Sequence, residues 1–385
     1  ERLAVIRGKK RKETALAKFF ENQNLSLEIE ARFALGVLTQ ESLKVGPGLI
    51  ERSISLATGA PISEVEKQLT DYGEHGEVAY LLKKPWDSEL TVDEMFEAIN
   101  LLPKMKRIRE RELYVSSLLR VATPTEAKYI VRLLLGDLKL GYDARTVIVA
   151  AARAYEVPPE LIENACAILG LTEGITLASE GTLKLSEVKM RPGQFIKLQL
   201  AHLYEPDKVS YPVRAEYKLD GSRLQIHKWG TQIWLYSRRG IEKSQTLPEI
   251  VKIAEKLNAQ SCVVDSEVIA VDDFGNPLPF QTLLERTVPR ELTPEELEER
   301  KAKVKVTIKA FDILFLNGHE LVNLSLSMRR KYLSEVVPVE YTVEGVDCQN
   351  EIELMHFYEE ALKKKFEGIV VKNLNSPYEI GQRTY

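Results

Sequence analysis

The sequence predicts two domains of different class, an all-α N-terminal domain over residues 1–190 and an α+β domain with antiparallel sheets over residues 191–385. Three observations carry this. At 385 residues the chain is longer than one hydrophobic core usually supports. From Glu13 to about Gly170 the apolar residues recur at spacings of three and four, the period of a helix with one buried face. Beyond Arg191-Pro192-Gly193 the spacing falls to two, the period of a half-buried strand.

Within the first half, Glu94–Leu102 and Ala127–Leu135 show the helical repeat most clearly. Thr123-Pro124-Thr125-Glu126 sets a capping hydroxyl just ahead of the second run. Gly136 and Gly141 bracket Asp137-Leu138-Lys139-Leu140 as a short loop, and the next helix runs from about Ala144 to Tyr155, stopping before Pro158. In the second half, Val213–Tyr217 reads as a strand leading into Lys218. Leu224–Trp229 and Gln232–Tyr236 flank Gly230-Thr231 as a hairpin. Val263–Ala270 runs to a turn at Asp273-Phe274-Gly275-Asn276, and further strands are expected at Thr307–Leu316 and Gly368–Lys372. Helical patterns intervene at Pro248–Leu257 and Glu351–Lys365. The join between the halves is expected near residues 180–205.

Composition excludes more than it selects. At 44% hydrophobic and 29% charged the chain has the make-up of a soluble globular protein, with no run long enough to span a membrane. The start, Glu1-Arg2-Leu3-Ala4, is not a signal peptide. Cys166, Cys262 and Cys348 are odd in number and far apart, so buried thiols are expected rather than disulfides or a zinc site. A formal charge of −4 is not that of a wholly basic nucleic-acid binder. Two local clusters, Arg7-Lys9-Lys10-Arg11-Lys12 and Lys104-Lys106-Arg107-Arg109-Arg111, are consistent with phosphate contacts and equally with solvated helix faces.

The run that carries chemistry is Glu216-Tyr217-Lys218-Leu219-Asp220-Gly221-Ser222-Arg223. A lysine is a poor nucleophile while protonated; a neighbouring cation such as Arg223, or partial removal from water, favours the free amine. Gly221 permits a tight turn that brings backbone close to a ligand, and Arg223 offers a planar fork of donors for a phosphate or a sugar hydroxyl.

Lys218-Leu219-Asp220-Gly221-Ser222-Arg223 has the Lys-x-Asp-Gly-x-Arg form of the covalent nucleotidyltransferases, and later segments resemble that superfamily's motifs in order. Tyr236-Ser237-Arg238-Arg239-Gly240 resembles its Ser-Arg element, Asp265-Ser266-Glu267-Val268 its Asp-Gly-Glu segment, Phe311-Asp312-Ile313-Leu314 its base-stacking segment, and Phe366–Lys372 its Glu-Gly-x-Val-x-Lys motif. The resemblance implies that Lys218 takes up AMP from ATP as a phosphoramidate. It places Glu216 beside the adenine, Phe311 against its ring, and Arg223, Arg238, Glu267, Lys372 and Arg383 around the nucleotide. Glu267 and Glu367 become candidate Mg2+ ligands, since hard carboxylate oxygens suit that ion.

The helical half narrows the resemblance to the archaeal and eukaryotic type of ATP-dependent DNA ligase. Glu126–Gly141 looks like that family's helix–loop–helix signature, with Lys139 where many relatives carry Arg, and Asp71–Ala79 resembles a second loop of the same domain. This implies a DNA-binding domain over residues 1–190, a nucleotidyltransferase domain over 191–385, nicked double-stranded DNA as partner, a sliding clamp as a further candidate partner, and no membrane. Lys139, Arg145, Lys104 and Arg107 are the candidate DNA contacts, with glycine-bounded helix ends offering free backbone N–H groups to phosphate. The site of action would be the nucleoid in a prokaryote or the nucleus in a eukaryote.

The same motifs leave open an RNA ligase, a capping-type transferase or a non-catalytic DNA-binding scaffold, and a preference for ADP, GTP or NAD in place of ATP. Relatives continue past this point into a Trp-x-Lys-x-Lys segment and an OB-fold domain, so the chain ending at Tyr385 is expected to adenylate poorly. Arg191–Ala201 departs from the family's usual Arg-Pro-Met-Leu-Ala.

Overall fold

The computed structural model describes residues 2–22, 25–37, 43–85, 90–286 and 293–384. It separates into two compact units, one of residues 1–166 and 170–186, the other of 167–169 and 187–385.

The first unit is built of helices joined by loops, with no strand among its described residues. Its helices form where apolar side chains fall on one stripe. In Pro124–Leu134, Ala127, Ile130, Val131 and Leu134 are buried and follow one another at three- and four-residue steps. They pack with Leu49, Ile50, Ile54, Ile99 and Leu119 into one core. Each fully buried aliphatic side chain of this kind contributes about 1.5–3 kcal/mol. Thr123 is the expected cap: its hydroxyl accepts from Glu126 N–H at 3.2 Å, and Glu126 accepts from Thr123 N–H at 2.8 Å. Gly136 ends the helix with φ +74°, a conformation that costs glycine little. The loop beyond it is tied down by Lys12, whose ammonium donates to the carbonyls of Leu140 and Gly141.

The second unit contains ten strands among its described residues: β1 (Leu200–Ala201), β2 (Val213–Tyr217), β3 (Ser222–Trp229), β4 (Gln232–Ser237), β5 (Ser261–Val271), β6 (Lys305–Leu316), β7 (His319–Glu320), β8 (Gly345–Cys348), β9 (Ile369–Asn373) and β10 (Arg383–Thr384). They form a five-stranded sheet in the order β4-β3-β5-β6-β7, a three-stranded sheet β8-β2-β9, and the short parallel pair β1-β10. The two larger sheets are antiparallel. Helices Pro248–Glu255 and Leu326–Val336 cover the larger sheet, burying Ile250, Ala254 and Leu333 against Ile226, Leu235, Val264 and Ile308. Helix Glu351–Lys363 covers the smaller one through Leu354, Phe357 and Ala361.

Strand β8 and helix Leu326–Val336 were not among the sequence expectations. β8 is four residues long with two of them exposed, too short to show a period. It closes on β2 at Gly345, where an added Cβ would lie 2.2 Å from the Ala215 carbonyl oxygen. The three cysteines are buried free thiols. Among the described residues no helix is long and apolar enough to cross a membrane.

A strap ahead of β1 lies across β3 and β4 without becoming a strand. Gly193 N–H donates to His227 Nδ1 at 3.1 Å and Ile196 N–H to Gln225 Oε1 at 3.0 Å, while Tyr236 donates its hydroxyl to Gly193 O at 2.6 Å. Burial lowers the His227 pKa to about 3. The ring is therefore neutral at physiological pH, accepting at Nδ1 and hydrogen-bonding Gln225 Oε1 at 2.8 Å through Nε2.

Candidate active site

Strand register assembles the site. β2 runs antiparallel to β9, with Tyr217 opposite Ile369, and Lys218 N–H donates to Gly368 O at 2.9 Å just beyond the pairing. That contact sets the Lys218 side chain beside Glu367, and its ammonium forms an ion pair with the Glu367 carboxylate. On the other sheet β3 pairs with β5 so that Arg223 stands opposite Glu267. Gly221 makes the link between the sheets possible, because a Cβ there would lie 2.4 Å from Val268 O.

The result is a cavity of about 410 Å³ whose wall includes Glu216, Lys218, Arg223, Arg238, Glu267, Phe311, Glu367 and Lys372. These are the expected nucleotide-site residues with one exception. Arg383 lies on β10 and donates to Ala201 O at 2.8 Å; its neighbour Thr384 reaches the cavity wall.

Two expectations change. Arg223 does not present a free fork. Its Nε and Nη2 donate to Asp265 at 3.0 and 2.6 Å, and Nη1 donates to Gln199 O at 2.6 Å. Asp265 is fully buried, so this pair holds the wall in place and matches the charge of Arg223 locally. The nearest charge to the Lys218 amine is accordingly a carboxylate, not the guanidinium expected to free it.

Tyr378, which sequence reasoning missed as a site residue, completes this cluster. Its hydroxyl donates to Asp265 Oδ2 at 2.8 Å and accepts from Gln199 N–H at 3.1 Å. Burial raises its pKa well above that of a free tyrosine, which keeps it a donor. Nothing local marks Tyr378, since its partners lie more than a hundred positions earlier in the chain.

Beside it, Arg329 donates to both oxygens of Asp312, at 2.8 and 3.0 Å, in a pair that is 2% and 4% exposed. Glu216 is equally buried. It meets Lys372 Nζ at 2.5 Å and Arg330 Nη1 at 3.3 Å, yet its Oε1 accepts no hydrogen bond among the described residues.

Glu267 is the most perturbed carboxyl group of the cavity: burial raises its pKa to about 7, against the pull of Arg223, Lys218 and Arg238. The folded chain thus holds this proton more tightly than the unfolded one. Stability from the protonated form is fully present below the unfolded value near 4.5 and is lost as pH rises through about 7. Glu267→Gln is expected to raise stability by about 2 kcal/mol at pH 8 and by little at pH 4. Urea unfolding of both proteins at the two pH values checks this, and an equal effect at both would refute it.

No group of three or more His, Cys, Asp or Glu side chains able to cage a metal occurs among the described residues. Glu267 and Glu367 do stand in the wall of one cavity with Lys218. Two carboxylates fit a hard cation that takes its remaining ligands from phosphate oxygens and water. The raised Glu267 pKa fits as well, because a bound cation stabilises the ionised form.

The candidate DNA contacts belong to the helical unit. Lys139 pairs with Asp137 at 2.5 Å and Arg145 with Glu163 at 3.3 Å, while Lys104 and Arg107 are exposed on either side of Met105. The expectation of free N–H groups at the glycine-bounded helix ends is corrected. Gly76 and Glu77 N–H donate to the Glu74 carboxylate at 2.7 and 3.0 Å, Thr146 N–H to Asp143 at 2.9 Å, and Gly136 N–H to Leu133 O at 3.1 Å. Acidic caps occupy the first two of these ends, and a main-chain carbonyl takes the third.

Comparison with known proteins agrees with this geometry. The family model described as ATP dependent DNA ligase domain matches residues 202–385, and the one described as DNA ligase N terminus matches residues 1–152. DNA ligase 2 of Methanosarcina acetivorans is 32% identical over 379 residues, covering 89% of this chain and 65% of that protein. DNA ligase of Nanoarchaeum equitans is 31% identical over 412 residues, covering 99% and 71%. DNA ligase of Methanothrix thermoacetophila is 32% identical over 405 residues, covering 100% and 72%. A solved structure named Pmar-Lig_PreS3 shares the fold with a TM-score of 0.62 at 15% identity, covering 99% of this chain and 74% of that one. The chain spans 65% of the first of these relatives and 71% and 72% of the other two. It belongs to the ATP-dependent DNA ligase family.

Proposed function

We propose that the chain is the DNA-binding and nucleotidyltransferase part of an enzyme that seals nicks in duplex DNA with ATP. The observation that carries this is the Lys218 amine, nearly half exposed in a cavity whose wall supplies Glu267, Arg238 and Lys372 for a nucleotide. Lys218 Nζ gives up a proton to the Glu367 carboxylate it is hydrogen-bonded to and attacks the α-phosphorus of ATP; the N–P bond forms, the bond to the bridging oxygen breaks, and pyrophosphate leaves. Glu367 accepts a hydrogen bond from Nζ and so orients the amine. Mg2+ held by Glu267 and Glu367 would neutralise charge on the phosphates. Arg238 and Lys372 are the cations available to those phosphates. The AMP then passes to the 5′-phosphate at a nick, and the adjacent 3′-hydroxyl displaces it as the strand closes.

Residues 1–190 would hold the duplex without reading sequence, through Lys139, Arg145, Lys104 and Arg107 as phosphate contacts. Such contacts give position and a salt-dependent affinity.

The test uses the full-length protein with α-labelled ATP and Mg2+. A covalent label that is discharged by a nicked, 5′-phosphorylated DNA duplex, with sealing, is the expected result. Retention of a γ-label instead, or a covalent label discharged only by a nicked RNA duplex, would overturn the reading.

A further inference from the structure

The cavity holds two groups that a planar amino-bearing base can use, and one side chain, Lys372, lies against both residues that supply them. Glu216 Oε1 accepts no hydrogen bond although the residue is 2% exposed. Phe311 offers its ring to the same space. Lys372 Nζ stands 4.3 Å from the centroid of that ring and 2.5 Å from Glu216 Oε2. A base stacked on Phe311 competes with the cations beside its ring, of which Lys372 is nearer than Arg223, whose Cζ is 5.4 Å from the centroid. Its exocyclic amino group would approach a carboxylate that the ammonium already holds. Glu216 does not need Lys372 for its charge: Arg330 Nη1 is 3.3 Å and Arg214 Nε 3.8 Å from Oε1.

We propose that Lys372 is a specificity-determining placeholder, which holds the base slot until the phosphates of the incoming nucleotide offer its charge a new partner. The proposal rests on the adenylation reading above and adds a coupling between base recognition and phosphate recognition. A nucleoside that displaces the ammonium leaves it without a partner of comparable strength. A nucleotide compensates the displacement with a charge-assisted hydrogen bond to phosphate. Adenosine is therefore excluded by a cavity that fits it, and the base is gripped firmly only when the reacting end is present.

The experiment is equilibrium binding of adenosine and AMP to the full-length protein and to its Lys372→Met and Lys372→Arg forms, without divalent cation. For the native protein adenosine should bind about a hundredfold more weakly than AMP. Lys372→Met should tighten adenosine about tenfold and weaken AMP, closing the gap. Lys372→Arg keeps a cation that stacks on Phe311 and reaches Glu216, so adenosine stays weak. A measurement on the native chain needs no variant: added pyrophosphate should tighten adenosine several-fold by giving the ammonium its partner. Adenosine affinity that is unchanged or weaker in Lys372→Met, or indifferent to pyrophosphate, overturns the proposal. Covalent AMP formed by a protein with those failures leaves the adenylation reading standing. Absence of both AMP binding and covalent AMP removes that reading itself.

Discussion

Lys218→Ala in the full-length protein should form no covalent AMP, a loss of at least about a thousandfold. Alanine removes the one amine in the cavity wall that is paired only with the exposed Glu367 carboxylate; the other, Lys372, is engaged with the buried Glu216. Because the Lys218 side chain is 45% exposed, the substitution should leave the thermal unfolding midpoint within a few degrees of the parent. Lys218→Arg separates charge from nucleophilicity. It can keep the ion pair with Glu367, but a guanidinium stays protonated and does not attack phosphorus. It should fail as completely as alanine. Label retained on either variant, on any residue, would remove Lys218 from its proposed role.

Asp312→Ala should destabilise the unit by about 3–5 kcal/mol, because it strands a guanidinium that is 2% exposed. Arg329 would keep its bonds to the carbonyls of Leu324 and Ser376, which satisfy donors but do not match charge. Replacing both partners by apolar residues, Asp312→Leu with Arg329→Met, should recover much of the loss, since no buried charge remains. Urea unfolding of the three variants measures this, and a single-variant loss below about 1 kcal/mol would show that water reaches the pair. Both residues line the nucleotide cavity, so the single variant should also lose AMP binding at temperatures where it is still folded.

How much of this was legible depends on how far apart the partners stand. Thr123 as a cap and Gly230-Thr231 as a hairpin turn rest on neighbours within four positions, and both appear in the structure as expected. Lys218, Glu267 and Glu367 were legible as chemistry because each sits in a distinctive local run. Their meeting in one cavity depends on register, which sets Lys218 against Gly368 across a sheet that no local period describes. Asp265 was quoted only as part of a motif, and its grip on Arg223 follows from the β3–β5 pairing of Gln225 with Asp265. Glu74 enters the sequence reading only as part of the Asp71–Ala79 loop. It caps the helix through the neighbouring Gly76 and Glu77 N–H groups, and only its ion pair with Arg132 at 2.9 Å needs a partner 58 positions away. Contacts between elements corrected Arg223 and Lys218, whereas the helix-end N–H groups were corrected by caps within three positions.

The strap across β3 and β4 has a consequence for the motions of the unit. A loop ordinarily exchanges its amide hydrogens with solvent by local fraying. Here the Gly193 and Ile196 amides are closed by side chains rooted in β3, the buried His227 ring and the Gln225 amide. Neither can be released by the loop alone. In deuterium exchange they should keep pace with the interior of the sheet and outlast the exposed turn at Asp272–Asn276, so that a segment without a strand of its own opens only when its neighbours do.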